Sequence, residues 1–150
     1  MEVKESIMQV QTKVNPEEVV RRYVDAYNRH DLHTFAALYD PNIVIFDPIF
    51  PEPIKGKEIV QKINEDLFKA FPDLERRILS IMAKGDTVAT EEVWAGTFKE
   101  SIPFSGRIMP PTGRHFESKC AAFLRFNPQG LIAEAQWYYD TASFRQQLGL

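Results

Sequence analysis

Acidic side chains set among aromatic rings are the residues of this chain best suited to chemistry. Asp140 follows Trp137-Tyr138-Tyr139, where an alternating segment from Leu131 to Tyr139 gives way to Thr141-Ala142-Ser143. A carboxylate beside apolar rings loses water, which disfavours its charged form and raises its pKa towards the range of a working base or acid. The same position suits a helix cap, with the Asp140 side chain accepting from the backbone of the next turn. Asp47 closes the apolar run Ile43-Val44-Ile45-Phe46 ahead of Pro48. It is a second candidate base, or a strand-end acid bonded to the proline-rich loop that follows. Tyr23 and Tyr27 share one helical face, and a buried phenol can donate a strong hydrogen bond to an enolate oxygen or simply serve the core. Glu91 and Glu92 lie mid-strand, so alternation turns one of them inward, where it must be paired or functional. Arg125, Lys119 and Arg77 are the partners in view.

Other chemistries find little footing. The three histidines, His30, His33 and His115, form no dense ligand cluster, and His30 with His33 reads as a solvated pair, so no metal site is expected. There is no Gly-x-Ser-x-Gly elbow and no glycine-rich phosphate loop after a strand. A net charge of −3 argues against nucleic acid, whose phosphates call for a basic face. The single cysteine, Cys120, cannot form an internal disulfide and fits a reducing compartment. No window approaches the ~18 apolar residues of a membrane span, and Met1 to Val14 lacks a signal-peptide core, so a cytoplasmic protein is expected. Eleven Phe, five Tyr and two Trp suit a lined cavity or a subunit interface.

The elements that must hold these residues can be read in order. Residues 1–14 show no period and are expected to be a loose tail ahead of one domain over 15–150. Asn15-Pro16-Glu17-Glu18 starts a helix whose inner face is Val19, Val20, Tyr23, Val24 and Tyr27. Asp31 caps a second, carrying Leu32, Phe35, Ala36, Leu38 and Tyr39 and broken at Asp40-Pro41-Asn42. Ile43 to Asp47 is a short strand. After Gly56 the pattern Ile59, Val60, Ile63, Leu67, Phe68 and Phe71 gives a third helix that ends at Pro72. Beyond it the pattern is sheet: Glu75–Lys84, Thr87–Lys99, His115–Asn127 and Leu131–Tyr139, with 100–114 as a loop fit to cover a site. Within the last strand Ala133, Ala135, Trp137 and Tyr139 share one face; Glu134, Gln136 and Tyr138 share the other. A short helix then ends at Gly149. Helices first and strands after give an α+β domain, with short connections favouring an antiparallel meander that curls around the helices and encloses a pocket.

Trp94-Ala95-Gly96-Thr97, the turn Pro110-Pro111-Thr112-Gly113-Arg114, and the ending Trp137-x-x-Asp140 with Gln147-Leu148-Gly149 resemble the SnoaL-like polyketide and ester cyclases, within the nuclear-transport-factor-2-like superfamily. The resemblance implies an α+β cone, a homodimer through the outer sheet face, and a cofactor-free aldol-type ring closure of a largely apolar carbonyl compound. Its acid/base would be Asp140, with Tyr23, Tyr138 or Gln136 holding the enolate oxygen. Tyr27, Phe46, Trp94, Phe98 and Trp137 would join Gln136 and Tyr138 in contacting substrate. Phe98 stands where many of those cyclases carry a histidine. Tyr23, Asp31 and Asp47-Pro48 also resemble the ketosteroid isomerase pattern, which implies Asp47 as base. That pattern places a protonated aspartate where this chain has Ala122, and alanine cannot donate its hydrogen bond. A ligand-binding module without catalysis is the third possibility.

Overall fold

A computed structural model describes residues 15–150; the expected tail at 1–14 lies outside them. Helix α1 (Pro16–Asn28) begins where Asn15 accepts the Glu17 amide at 3.1 Å, and it buries Val19, Val20, Tyr23, Val24, Ala26 and Tyr27. Helix α2 is short (Leu32–Ala36) and capped by Asp31. Strand β1 then runs from Tyr39 to Phe46, so Tyr39 to Asn42 belong to the sheet and not to a helix or a break. The reason is visible in the pairing: Tyr39 is set against Ile132, and a register shift between Tyr39 and Val44 absorbs the proline at 41. Strand β2 (Ile54–Lys55) pairs with β1, and α3 (Lys57–Ala70) follows Gly56, whose φ of 96° few other residues adopt.

Strands β3 (Glu75–Lys84) and β4 (Thr87–Thr97) form a hairpin. The expected loop at 100–114 contains a second hairpin, β5 (Ile102–Phe104) with β6 (Arg107–Met109), separate from the main sheet. Strands β7 (His115–Phe126) and β8 (Ile132–Tyr139) follow, and α4 (Thr141–Leu148) ends at Gly149 in the left-handed conformation. The main sheet has the order β2-β1-β8-β7-β4-β3. It is antiparallel except where β1 and β8 run parallel. The N-terminal helices pack against this curved, unclosed sheet, and the core between them includes Phe35, Ile43, Val60, Leu124 and Ile132. No helix among the described residues is long and apolar enough to cross a membrane.

The three sequence motifs have structural jobs. A side chain at Gly96 would meet Leu74 and Phe116 at 3.3 Å, and Thr97 next to it bonds both oxygens of Asp73 at 2.7 Å. The hydroxyl of Thr112 donates to the Leu148 carbonyl at 2.7 Å, and Gln147 accepts the Glu117 amide at 2.8 Å. The Pro-Thr-Gly-Arg turn and the Gln-Leu-Gly ending are thus two halves of one clasp that holds α4 against β7.

Candidate active site

A cavity of about 820 Å³ lies between the helices and the inner face of the sheet, and the β5–β6 hairpin forms part of its wall. Its lining is mostly aromatic and aliphatic, which keeps water from competing for the few polar groups it holds. Tyr23, Tyr27, Trp94, Phe98 and Trp137 all line it, as their strand and helix faces require. So does Asp47, immediately beyond β1.

The Asp47 carboxylate is half-buried in the cavity wall. The Tyr139 hydroxyl donates to its Oδ1 at 2.6 Å, and the Ile49 amide donates to the same oxygen at 3.1 Å. Burial pushes the carboxyl up from its usual value, and the two hydrogen bonds only partly offset that shift. Tyr139 is correspondingly raised, by its own burial first and then by the charge of Asp47, so the proton stays on the phenol. Among the described residues no group donates to Oδ2.

Asp140 sits elsewhere. Its side chain accepts the Ser143 amide at 3.0 Å and caps α4, in an exposed position outside the cavity wall. Alternation explains this: Trp137 and Tyr139 face inward, so Tyr138 and Asp140 face out. The dry setting expected for Asp140 belongs instead to Asp47. Phe46, Gln136 and Tyr138 also stand apart from the main cavity, around a shallower cleft of about 380 Å³ that shares Asp47, Phe50, Trp137 and Tyr139 with it.

Phenols supply further polar contacts. Tyr23 and Tyr39 are joined hydroxyl to hydroxyl at 2.8 Å, so one donates to the other and the second keeps a free O–H. Tyr27 donates to Asn64 Oδ1 at 2.8 Å, and burial raises the pKa of Tyr27 and Tyr39. Cys120 lines the cavity too, its thiol pushed up to about 12 by burial, which makes it a poor nucleophile.

The inward glutamate is Glu92, fully buried, and its partner is Arg76 rather than Arg125, Lys119 or Arg77. Arg77 and Lys119 project outward, and Arg125 pairs with Glu134 on the outer face. Arg76 Nε and Nη2 reach the two Glu92 oxygens at 2.8 and 3.1 Å, and Thr90 adds a bond at 2.7 Å. Tyr23, Tyr27, Trp94 and Trp137 box the guanidinium, their centroids 4.6 to 5.1 Å from Cζ. Burial alone would lower the Arg76 pKa; the charge and hydrogen bond of Glu92, together with the phenols Tyr23 and Tyr27, more than reverse it. His30 is not solvated: it stacks on Phe68 at 4.2 Å and bonds the Leu74 carbonyl at 2.8 Å.

Several site residues were missed from sequence. Alternation sets Tyr139 on the inner face with Trp137, which is the signal for its contact with Asp47. Tyr39 reads as helical from its spacing to Phe35 and Ala36. Arg76 and Asn64 carried no local mark.

The SnoaL-like polyketide cyclase family model matches residues 17–148. The chain belongs to that family. Among solved structures, this SnoaL-like protein is 30% identical to IdmH of Streptomyces antibioticus, a candidate polyketide cyclase, over 91% of this chain and 100% of that one, with a TM-score of 0.71. It is 28% identical to AclR of Streptomyces galilaeus, a candidate hydroxylase, over 89% and 95% of the two chains, with a TM-score of 0.73. A candidate polyketide cyclase of Pseudomonas putida shares the fold at 21% identity and a TM-score of 0.75, covering 91% and 99%. No curated protein matches the chain. The family supports a role of cyclase or isomerase type.

Proposed function

We propose that this SnoaL-like protein is a cofactor-independent enzyme that closes a ring in a largely apolar, polyketide-type carbonyl compound, with Asp47 as acid and base. Asp47 takes a proton alpha to one carbonyl, giving an enolate. The enolate carbon attacks a second carbonyl of the same molecule, a carbon–carbon bond forms, and the new alkoxide recovers the proton from Asp47. Atoms balance without a co-reactant. The free hydroxyl of the Tyr23–Tyr39 pair holds the enolate oxygen, and the ring-lined walls hold the two carbonyls close enough to react.

The observation that carries this reading is a carboxylate raised by burial at the wall of an apolar cavity, one oxygen held by Tyr139 and the other free. A base of this kind contributes ~10²–10⁴-fold. The same proposal includes a homodimer through the outer sheet face, where Met82, Ala89, Phe123, Gln136 and Phe46 align across five strands.

The test needs no natural substrate. In D₂O, NMR follows deuterium entering the methyl group of 2-acetylnaphthalene, an aryl ketone with exchangeable alpha protons. Asp47→Asn is expected to lower the enzyme-dependent rate by ~10²-fold or more while Asp140→Asn leaves it within about twofold. Loss in Asp140→Asn with Asp47→Asn active would move the base to Asp140, as the family motif implies. No enzyme-dependent exchange in the parent protein would leave a binding module.

A further inference from the structure

Among the described residues, three buried side-chain N or O atoms have no protein hydrogen-bond partner: Arg76 Nη1, Trp94 Nε1 and Ser118 Oγ. They are not scattered. Arg76 is set directly opposite Trp94 on β3 and β4, and Trp94 directly opposite Ser118 on β4 and β7, so the three stand in one row across the inner face of the sheet. Trp94 and Ser118 line the main cavity, and the Arg76 guanidinium lies 4.6 Å from the Trp94 ring. Buried donors are almost always paired, because a donor stripped of water and given nothing in return weakens the fold. Three such atoms in one row mark a place where the protein withholds hydrogen bonds from itself.

We infer that this row is an oxygen-binding subsite, in which a small turn of the two side chains brings the fully buried Trp94 Nε1–H and Ser118 Oγ–H to a carbonyl or phenolic oxygen of the ligand. Both donors are neutral, which suits an uncharged oxygen. Arg76 packs on the Trp94 ring with its charge already matched by Glu92. The subsite lies apart from the proton-transfer group. Cys120 is opposite Tyr139, and Ser118 is two residues along β7, so the oxygen sits roughly 7 Å along the strand from Tyr139, and farther from Asp47. A ligand that fills both places carries oxygen at two separated points of an otherwise apolar frame. The subsite presupposes that the cavity holds a small molecule, as proposed above, but not that Asp47 is the base.

The chain has only two tryptophans, so ¹H–¹⁵N spectra show two indole signals, and Trp94→Phe assigns them. The probes are 2-acetylnaphthalene and 2-isopropenylnaphthalene, close in shape but only the first an oxygen acceptor. The ketone is expected to move the Trp94 indole proton downfield, and to bind about three- to tenfold tighter than the hydrocarbon, the worth of one net hydrogen bond. Ser118→Ala and Trp94→Phe should each reduce the ratio of ketone to hydrocarbon affinity, and Asp47→Asn should retain it. A preference that survives both subsite variants, or one abolished by Tyr139→Phe or Asp47→Asn instead, overturns the inference. Equal affinities for the two probes in the parent protein overturn it as well. Failure of proton exchange in the parent protein, with the probe preference intact, would sink the catalytic proposal alone.

Discussion

The hydroxyl of Tyr139 donates to Asp47 Oδ1 at 2.6 Å across 92 residues of sequence. Tyr139 is thus the main protein group opposing the effect of burial on that carboxyl. Tyr139→Phe is expected to raise the Asp47 pKa further. The pH profile of alpha-proton exchange, which should climb as Asp47 ionises, would then shift to higher pH. An unshifted profile would show that another group controls the rate.

Asp47 also has a cost that stability measurements can read. Its folded pKa lies above the unfolded value of 3.8, so its contribution to folding is fullest below that value and is lost as pH rises through the folded pKa. Asp47→Asn keeps an acceptor for Tyr139 and removes the charge. Calorimetry should find the variant more stable than the parent at pH 7, with the advantage shrinking towards zero below about pH 4. A variant less stable at pH 7 would contradict the raised pKa.

The Arg76–Glu92 pair is fully buried, and removing one partner strands the other charge. Arg76→Met or Glu92→Gln should each cost about 3–5 kcal/mol in chemical unfolding. The double change Arg76→Met with Glu92→Leu should cost less than the two singles added together. Simple additivity would mean that the charges do not depend on each other.

Four apolar side chains on the outer sheet face are open to solvent, Met82 by 71%, Tyr138 by 51%, Phe123 by 44% and Phe46 by 36%. They belong to the row proposed as a subunit contact or lie beside it, and rings of this kind are costly to leave in water. Phe123→Glu should convert a dimer into a monomer in light scattering, with the monomer keeping its far-ultraviolet spectrum. A parent protein that already scatters as a monomer would remove the dimer from the proposal.

Period and punctuation in the sequence were enough for most of the architecture. Asn15-Pro16 and Asp31 marked helix starts, Gly149 marked an end, and alternation put Trp137 and Tyr139 inside. What escaped depended on contacts between distant segments. Tyr39 to Asn42 look helical or broken until Ile132 is laid beside Tyr39. The partner of Glu92 lies diagonally across a strand pair, and inward residues of β3 were not separable from outward ones by composition: Arg76 is buried and Arg77 exposed. Asp140 and Asp47 look alike as acids that end strands. Only the face on which each strand finishes tells them apart, one bound to a helix start and the other to a phenol inside the cavity.

The placement of β8 between β1 and β7 has a consequence for how the molecule is made. As the chain leaves the ribosome, β1 exists long before the strand that fills that gap, and β7 only just before it. Each presents a bare backbone edge, and such edges attract stray partners. Tyr139 travels on the late arrival, so the hydrogen bond to Asp47 forms only as the sheet is joined. The carboxylate therefore meets its phenol in the same event that covers those edges, and no half-made chain can hold the pair.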